Sequence, residues 1–106
     1  MIVIVLILLI INSVLILNKK ECTYDIKTET YKENITVTIS RFDKTNIKRE
    51  YNFNNKEILE IEKEELENSG YNTETNDLDL VANKTEKKKD YYKQIKEYEE
   101  MGFICK

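Results

Sequence analysis

The 106-residue chain has no His, no Trp and no Pro, and only two Gly and two Cys. Without His it lacks the usual general base, cannot assemble a Ser-His-Asp triad, and loses the commonest zinc and haem ligand. The two glycines, Gly70 and Gly102, leave no glycine-rich phosphate loop and no dinucleotide fingerprint. The two cysteines have no CxxC spacing, so a zinc site would need carboxylates to complete it, an uncommon donor set. Neither sign of charge dominates: 17 Lys and Arg stand against 20 Asp and Glu, for a formal net charge of −3. These absences point away from enzymes and from proteins with a resident cofactor or metal ion.

What the chain does contain is unevenly spread. Residues 1 to 17 read MIVIVLILLIINSVLIL and are apolar except for Asn12 and Ser13. The other 89 residues hold 28 apolar side chains and all 37 charges, which is near the low end of apolar content for a packed domain. As a helix, the apolar run would be roughly 25 Å long, within the range that crosses a bilayer core of ~30 Å. It would be apolar on every face, more than so small a remainder could cover. Residues 1–18 are therefore expected to form a transmembrane signal-anchor helix, and residues 19–106 one small domain. Cleavage is not expected. Ile2 follows Met1 directly, and Asn18-Lys19-Lys20-Glu21 offers no small residues at the exit. Lys20 and Glu21 before Cys22 also rule out a lipobox. A start a few codons upstream would restore an ordinary positive n-region.

Two signals oppose each other on topology. Lys19 and Lys20 beside the span favour a cytoplasmic C-terminal side. Cys22 and Cys105, near the two ends of the domain, favour the opposite side if they pair. A disulfide closing a loop of that size contributes about 4 to 5 kcal/mol in the chain-entropy model. A domain of this size with a thin core is the kind that needs such a staple, and a disulfide persists on an oxidising side of the membrane. Two inert free thiols are the other reading. The balance places residues 19–106 outside the cell membrane.

The rest of the chain reads as α+β. Residues 22 to 31 alternate, with Cys22, Tyr24, Ile26 and Thr28 on one face, and Lys32-Glu33-Asn34 reads as a turn. Ile35, Val37 and Ile39 alternate with Thr36, Thr38 and Ser40, the clearest strand signature present. After a turn at Asp43–Asn46, the shared parity of Ile47, Arg49, Tyr51 and Phe53 predicts a third strand. Asn54 with Glu57 reads as the N-cap of a helix running to Ser69, with Gly70 as its stop; a short strand through Ile61 competes. Tyr71 to Asp77 reads as loop and Leu78 to Asn83 as a short fourth strand. A second helix, capped by Asn83 or Thr85, carries Tyr91, Ile95 and Tyr98 on one face and ends at Gly102. Phe103 to Lys106 then extends to bring Cys105 to the sheet. The expected architecture is a transmembrane helix followed by a small antiparallel sheet of three to four strands packed with two helices.

Few constellations suggest chemistry. Glu57, Glu60, Glu62, Glu64, Glu65 and Glu67 crowd the first helix, where a solvated face is the simpler reading than a cation cage. Lys87-Lys88-Lys89 could touch anionic lipid, but three residues flanked by Glu86 and Asp90 read as solvated surface, too narrow for nucleic acid. Of seven tyrosines, Tyr24, Tyr51, Tyr91 and Tyr98 take inward parities. Tyr31, Tyr71 and Tyr92 are left as the candidate exposed contact surface, for an envelope protein or ligand of unknown identity. Asn34-Ile35-Thr36 and Asn83-Lys84-Thr85 match the glycosylation sequon, a motif common by chance in Asn-rich chains.

The anchor, the cysteine at the start of the sheet and the ending Tyr98-Glu99-Glu100-Met101-Gly102-Phe103-Ile104-Cys105-Lys106 together carry a resemblance. The chain resembles the small, mostly uncharacterised envelope proteins of low-GC Gram-positive bacteria of the YehR-like lipoprotein type. The likeness is loose over residues 22 to 106 and specific over the last nine; it departs at the N-terminus, where the lipobox is missing. It implies an extracytoplasmic α+β domain with a disulfide between its ends, and it implies no catalytic residues. The resulting expectation is a membrane-anchored, non-enzymatic binding or structural module of the cell envelope. The alternative is a cytoplasm-facing single-span protein that modulates a larger membrane complex with both thiols reduced.

Overall fold

A computed structural model of the chain describes residues 19–87 and 89–106. Among these residues no helix is long and apolar enough to cross a membrane; the expected span, residues 1–18, lies outside the described residues. The domain is α+β. Strands β1 (Lys19–Lys27), β2 (Tyr31–Ser40) and β3 (Thr45–Phe53) form an antiparallel meander. Helix α1 (Lys56–Asn68) follows, then the hairpin β4 (Asn72–Asn76) and β5 (Asp79–Glu86), helix α2 (Tyr91–Glu100), and the two-residue strand β6 (Ile104–Cys105). All pairings are antiparallel and the six strands run in the order β4-β5-β3-β2-β1-β6. Each helix is thus a crossover: α1 leads to the edge strand β4, whose hairpin sets β5 beside β3, and α2 returns the chain to the outer side of β1.

The register puts one row of side chains under both helices. Cys22 lies opposite Val37, Val37 opposite Ile47, and Tyr51 opposite Leu80, so these point to the same face. Tyr51, Phe53, Leu80 and Ala82 pack with Leu59 and Leu66 of α1. Cys22, Ile35, Val37, Ile39 and Ile47 form a second cluster against Tyr91, Ile95 and Tyr98 of α2. The other face is left to Thr, Asn and charged residues that pair across the strands. Asn34 donates to Asp25 (2.6 Å), Asn52 to Asp79 (2.7 Å) and Thr85 to Asn46 (3.0 Å), and within β2 Thr36 donates to Asn34 (3.1 Å). A two-layer domain with one wet sheet face results, as expected for an antiparallel sheet.

Several local expectations are corrected. The first hairpin turns at residues 28–30, because the Thr28 hydroxyl accepts from the amides of Thr30 (3.2 Å) and Tyr31 (3.1 Å). Lys32, Glu33 and Asn34, expected as a turn, lie within β2, and Glu33 is buried. Asn54 does not cap α1; its side-chain amide donates to the Glu29 carbonyl (2.6 Å), holding the first hairpin turn. Asn55 caps instead, accepting from the Glu57 amide at 2.7 Å. Ile61 is helical. Residues 72–76, expected as loop, form the edge strand β4. Asn83 and Thr85 are strand residues of β5, and Asp90 caps α2 by accepting from the Lys93 amide at 2.8 Å. Lys87 and Lys89 therefore precede that helix rather than sit in its first turn.

Candidate functional site

Both helices end in the same way. After α1, the Gly70 amide donates to Glu67 O and the Tyr71 amide to Leu66 O; after α2, the Gly102 amide donates to Glu99 O and the Phe103 amide to Tyr98 O. Gly70 (φ +93°) and Gly102 (φ +103°) take the left-handed conformation that this paired-bond ending requires. The ending turns the chain back on the helix and throws the following aromatic onto the sheet. Tyr71 consequently packs against both apolar clusters, and Phe103 stacks on Tyr24 (5.2 Å between centroids) and meets Tyr98 edge-on (5.0 Å).

These two aromatics wall a groove of about 350 Å³ on the helix-covered side, lined also by Ile26, Ile35, Arg49, Tyr98 and Met101. Beside it runs a polar seam between the clusters. Arg49 Nε lies 3.8 Å from Glu33 Oε2, an ion pair too long for a hydrogen bond, and neither atom has a hydrogen-bond partner. The Glu33 side chain is only 4% exposed. Burial pushes its carboxyl above the ordinary 4.5; the Arg49 guanidinium and the Tyr51 hydroxyl pull it back, and Glu62 raises it further. The Arg49 guanidinium also lies 5.7 Å from the Tyr71 ring, with the Lys84 ammonium 5.3 Å from the same ring. Burial raises the Tyr71 and Tyr98 phenols above their ordinary 10.0; Arg49 opposes this at Tyr71, and Glu86 adds to it at both. Their hydroxyls stay neutral through the physiological range. The groove therefore offers apolar walls, neutral phenols and one guanidinium.

A larger hollow of about 560 Å³, lined by residues including Asp25, Lys32, Asn34, Glu50 and Asn52, lies at one end of the sheet. Asn34 and Asn52 there already hold partners across the strands, at Asp25 and Asp79. Glu33, whose Oε2 has no hydrogen-bond partner, lines this hollow on its inner side and so lies between it and the groove-side Arg49.

The three tyrosines singled out in the sequence do not share an environment. Tyr31 is half-buried against Tyr51 and Phe53 (5.9 and 5.6 Å), and Tyr71 is half-buried in the groove wall, so neither has the exposure expected of it. Tyr92 is 68% exposed, and its hydroxyl accepts from Arg41 Nη2 at 2.6 Å. Arg49, Glu33 and Phe103 escaped the sequence reading. A signal was available: Leu66-Glu67-Asn68-Ser69-Gly70-Tyr71 and Tyr98-Glu99-Glu100-Met101-Gly102-Phe103 share the pattern apolar-Glu-x-x-Gly-aromatic.

Cys22 and Cys105 are joined by a disulfide across 83 positions of sequence. Among the described residues no cysteine is free, and no cluster of three or more Cys, Asp or Glu could hold a metal ion. No protein-family model, no curated protein and no solved structure matches the chain.

Proposed function

We propose that the chain is a membrane-anchored, extracytoplasmic binding module without enzymatic activity, held by residues 1–18 and stapled by Cys22–Cys105. The observation that carries this reading is the disulfide itself, which ties β6 to β1 and so closes the domain immediately after the apolar segment. Such a bond is kept on an oxidising side of a membrane and is rare in the cytosol. The binding role is supported by the groove between the helix ends. Its walls suit aliphatic or aromatic groups and its guanidinium suits a carboxylate, so an envelope peptide or a small amphipathic acid is the class of partner that fits.

The test is protease accessibility on intact protoplasts combined with alkaline extraction of their membranes. The reading predicts that the chain stays in the membrane pellet and that residues 19–106 are degraded from outside without lysis. Degradation only after lysis would support the reverse topology that Lys19 and Lys20 favour, with a domain serving a membrane complex from the cytoplasm.

A further inference from the structure

The strand register gathers three separate basic segments at one end of the domain. Lys19 pairs with Ser40, so the start of β1 lies beside the β2–β3 turn. Thr45 pairs with Glu86, so the β5–α2 connection also leaves at this end. The Thr45 hydroxyl donates to Gln94 Oε1 (3.1 Å) and Arg41 Nη2 to Tyr92, fixing the first turn of α2 there as well. Lys19 and Lys20, Arg41 and Lys44, and Lys87 and Lys89 therefore share one tip, although they are far apart in sequence.

Three carboxylates at this tip have partners of their own. Asp43 accepts from the Lys44 amide (2.7 Å), Asp90 caps α2, and Glu86 lies between Lys84 (4.0 Å) and Lys89 (3.9 Å). Against these and Glu21, the cations Lys19, Lys20, Arg41, Lys44, Lys87 and Lys89 leave a formal excess of two positive charges among the described residues of the tip, in a chain whose net charge is −3. Two aromatics stand on it, Phe42 at 72% and Tyr92 at 68% exposure. In sequence, the apolar run of residues 1 to 17 ends two positions before Lys19. Cations interleaved with exposed aromatic rings, next to a membrane-spanning stretch, are the composition of a surface that settles into lipid headgroups.

We infer that this tip docks on the anionic headgroups of the anchoring bilayer, with Phe42 entering the interfacial layer and the lysines contacting lipid phosphates. The inference rests on the membrane anchor proposed above. Docking gives Lys19 and Lys20 a role other than setting topology. It also holds the domain upright, with the groove's aromatic walls away from the lipid. A partner protein with an acidic surface is the competing occupant; lipid is favoured because the tip adjoins the span.

The absence of Trp from the chain makes a clean test available. Phe42→Trp places a reporter on the tip, and Glu29→Trp places one on the opposite hairpin turn, about 30 Å away along β1. The full chain carrying either reporter is reconstituted into phosphatidylcholine vesicles with or without phosphatidylglycerol, using bromine-labelled acyl chains as quencher. The expected result is blue-shifted, strongly quenched emission from the Phe42→Trp reporter only when phosphatidylglycerol is present. Molar salt should reverse it, as should adding Lys87→Glu and Lys89→Glu. The Glu29→Trp reporter should remain quenched several-fold less throughout. Equal quenching in both lipids, or none in either, would overturn the inference, and the latter would leave an acidic protein as the occupant. Failure of the anchor would appear separately, as release of the chain from the vesicles by alkaline carbonate.

Discussion

Cys22 and Cys105 face each other as a non-hydrogen-bonded pair of antiparallel strands. The neighbouring pair, Glu21 and Lys106, exchanges both backbone hydrogen bonds, at 3.1 and 2.9 Å. In an antiparallel ladder the next pair along brings its side chains closest together, and here the Cα atoms of Cys22 and Cys105 are 3.9 Å apart. Cys22 is fully buried, so the bond also contributes to the cluster beneath α2. A two-residue edge strand would hold poorly by its backbone bonds alone; the disulfide fixes it to β1.

Replacing both cysteines by serine is expected to lower unfolding stability by about 4 to 5 kcal/mol, the loop-closure contribution of a bridge spanning most of the domain. Urea unfolding of the full chain in detergent, under oxidising conditions, measures it. Reductant should produce a similar loss in the wild-type chain and leave the variant unaffected. An unchanged midpoint in the variant would show that the staple is not needed for stability.

Glu33 makes stability depend on pH. Its folded-state carboxyl lies above the ordinary 4.5, chiefly through burial, so the folded state binds this proton more tightly than the unfolded state does. Its contribution to stability is therefore fully present below 4.5 and is lost as pH rises through the raised value. Glu33→Gln is expected to remove this component. The difference between wild-type and variant stability, measured from pH 4 to pH 7, should fall with increasing pH in the wild-type chain relative to the variant.

Removing one partner of the seam should cost more than removing both. Arg49→Met leaves the Glu33 carboxylate buried without its counter-charge, and a loss of about 3 kcal/mol is expected at neutral pH. Combining it with Glu33→Leu removes the orphaned charge and should restore most of that loss. A double-mutant cycle by chemical denaturation gives the coupling directly.

Gly102→Ala should be destabilising for two reasons. The position has φ +103°, and an added Cβ would stand 3.1 Å from Tyr24 Cε2. A cost of about 1 to 2 kcal/mol is expected, read as a lower melting temperature. Leu59→Ala provides a scale: this fully buried side chain of α1 should cost about 2 to 5 kcal/mol.

Residues whose neighbours alternate in polarity were readable in advance, and residues whose placement depends on distant partners were not. Ile35, Val37 and Ile39 announced β2, the shared parity of Ile47, Arg49, Tyr51 and Phe53 announced β3, and Gly70 and Gly102 marked both helix ends. Strand β4 was invisible because Asn-Thr-Glu-Thr-Asn is polar on both faces; it forms because β5 offers it a ladder at the sheet edge. Glu33 looked like turn material because its burial depends on Arg49 and Tyr51, residues of the next strand. Asn54 looked like a cap until the Glu29 carbonyl took its side chain. The groove was the least legible feature, since its wall aromatics, Tyr71 and Phe103, come from two helix endings 32 positions apart.

The central claim, an extracytoplasmic disulfide, is tested most directly by labelling intact cells with a membrane-impermeant maleimide, before and after an impermeant reductant. No labelling beforehand, and labelling of both Cys22 and Cys105 afterwards, is the predicted result. Labelling that needs cell lysis and no reductant would contradict it, placing two reduced thiols in the cytoplasm.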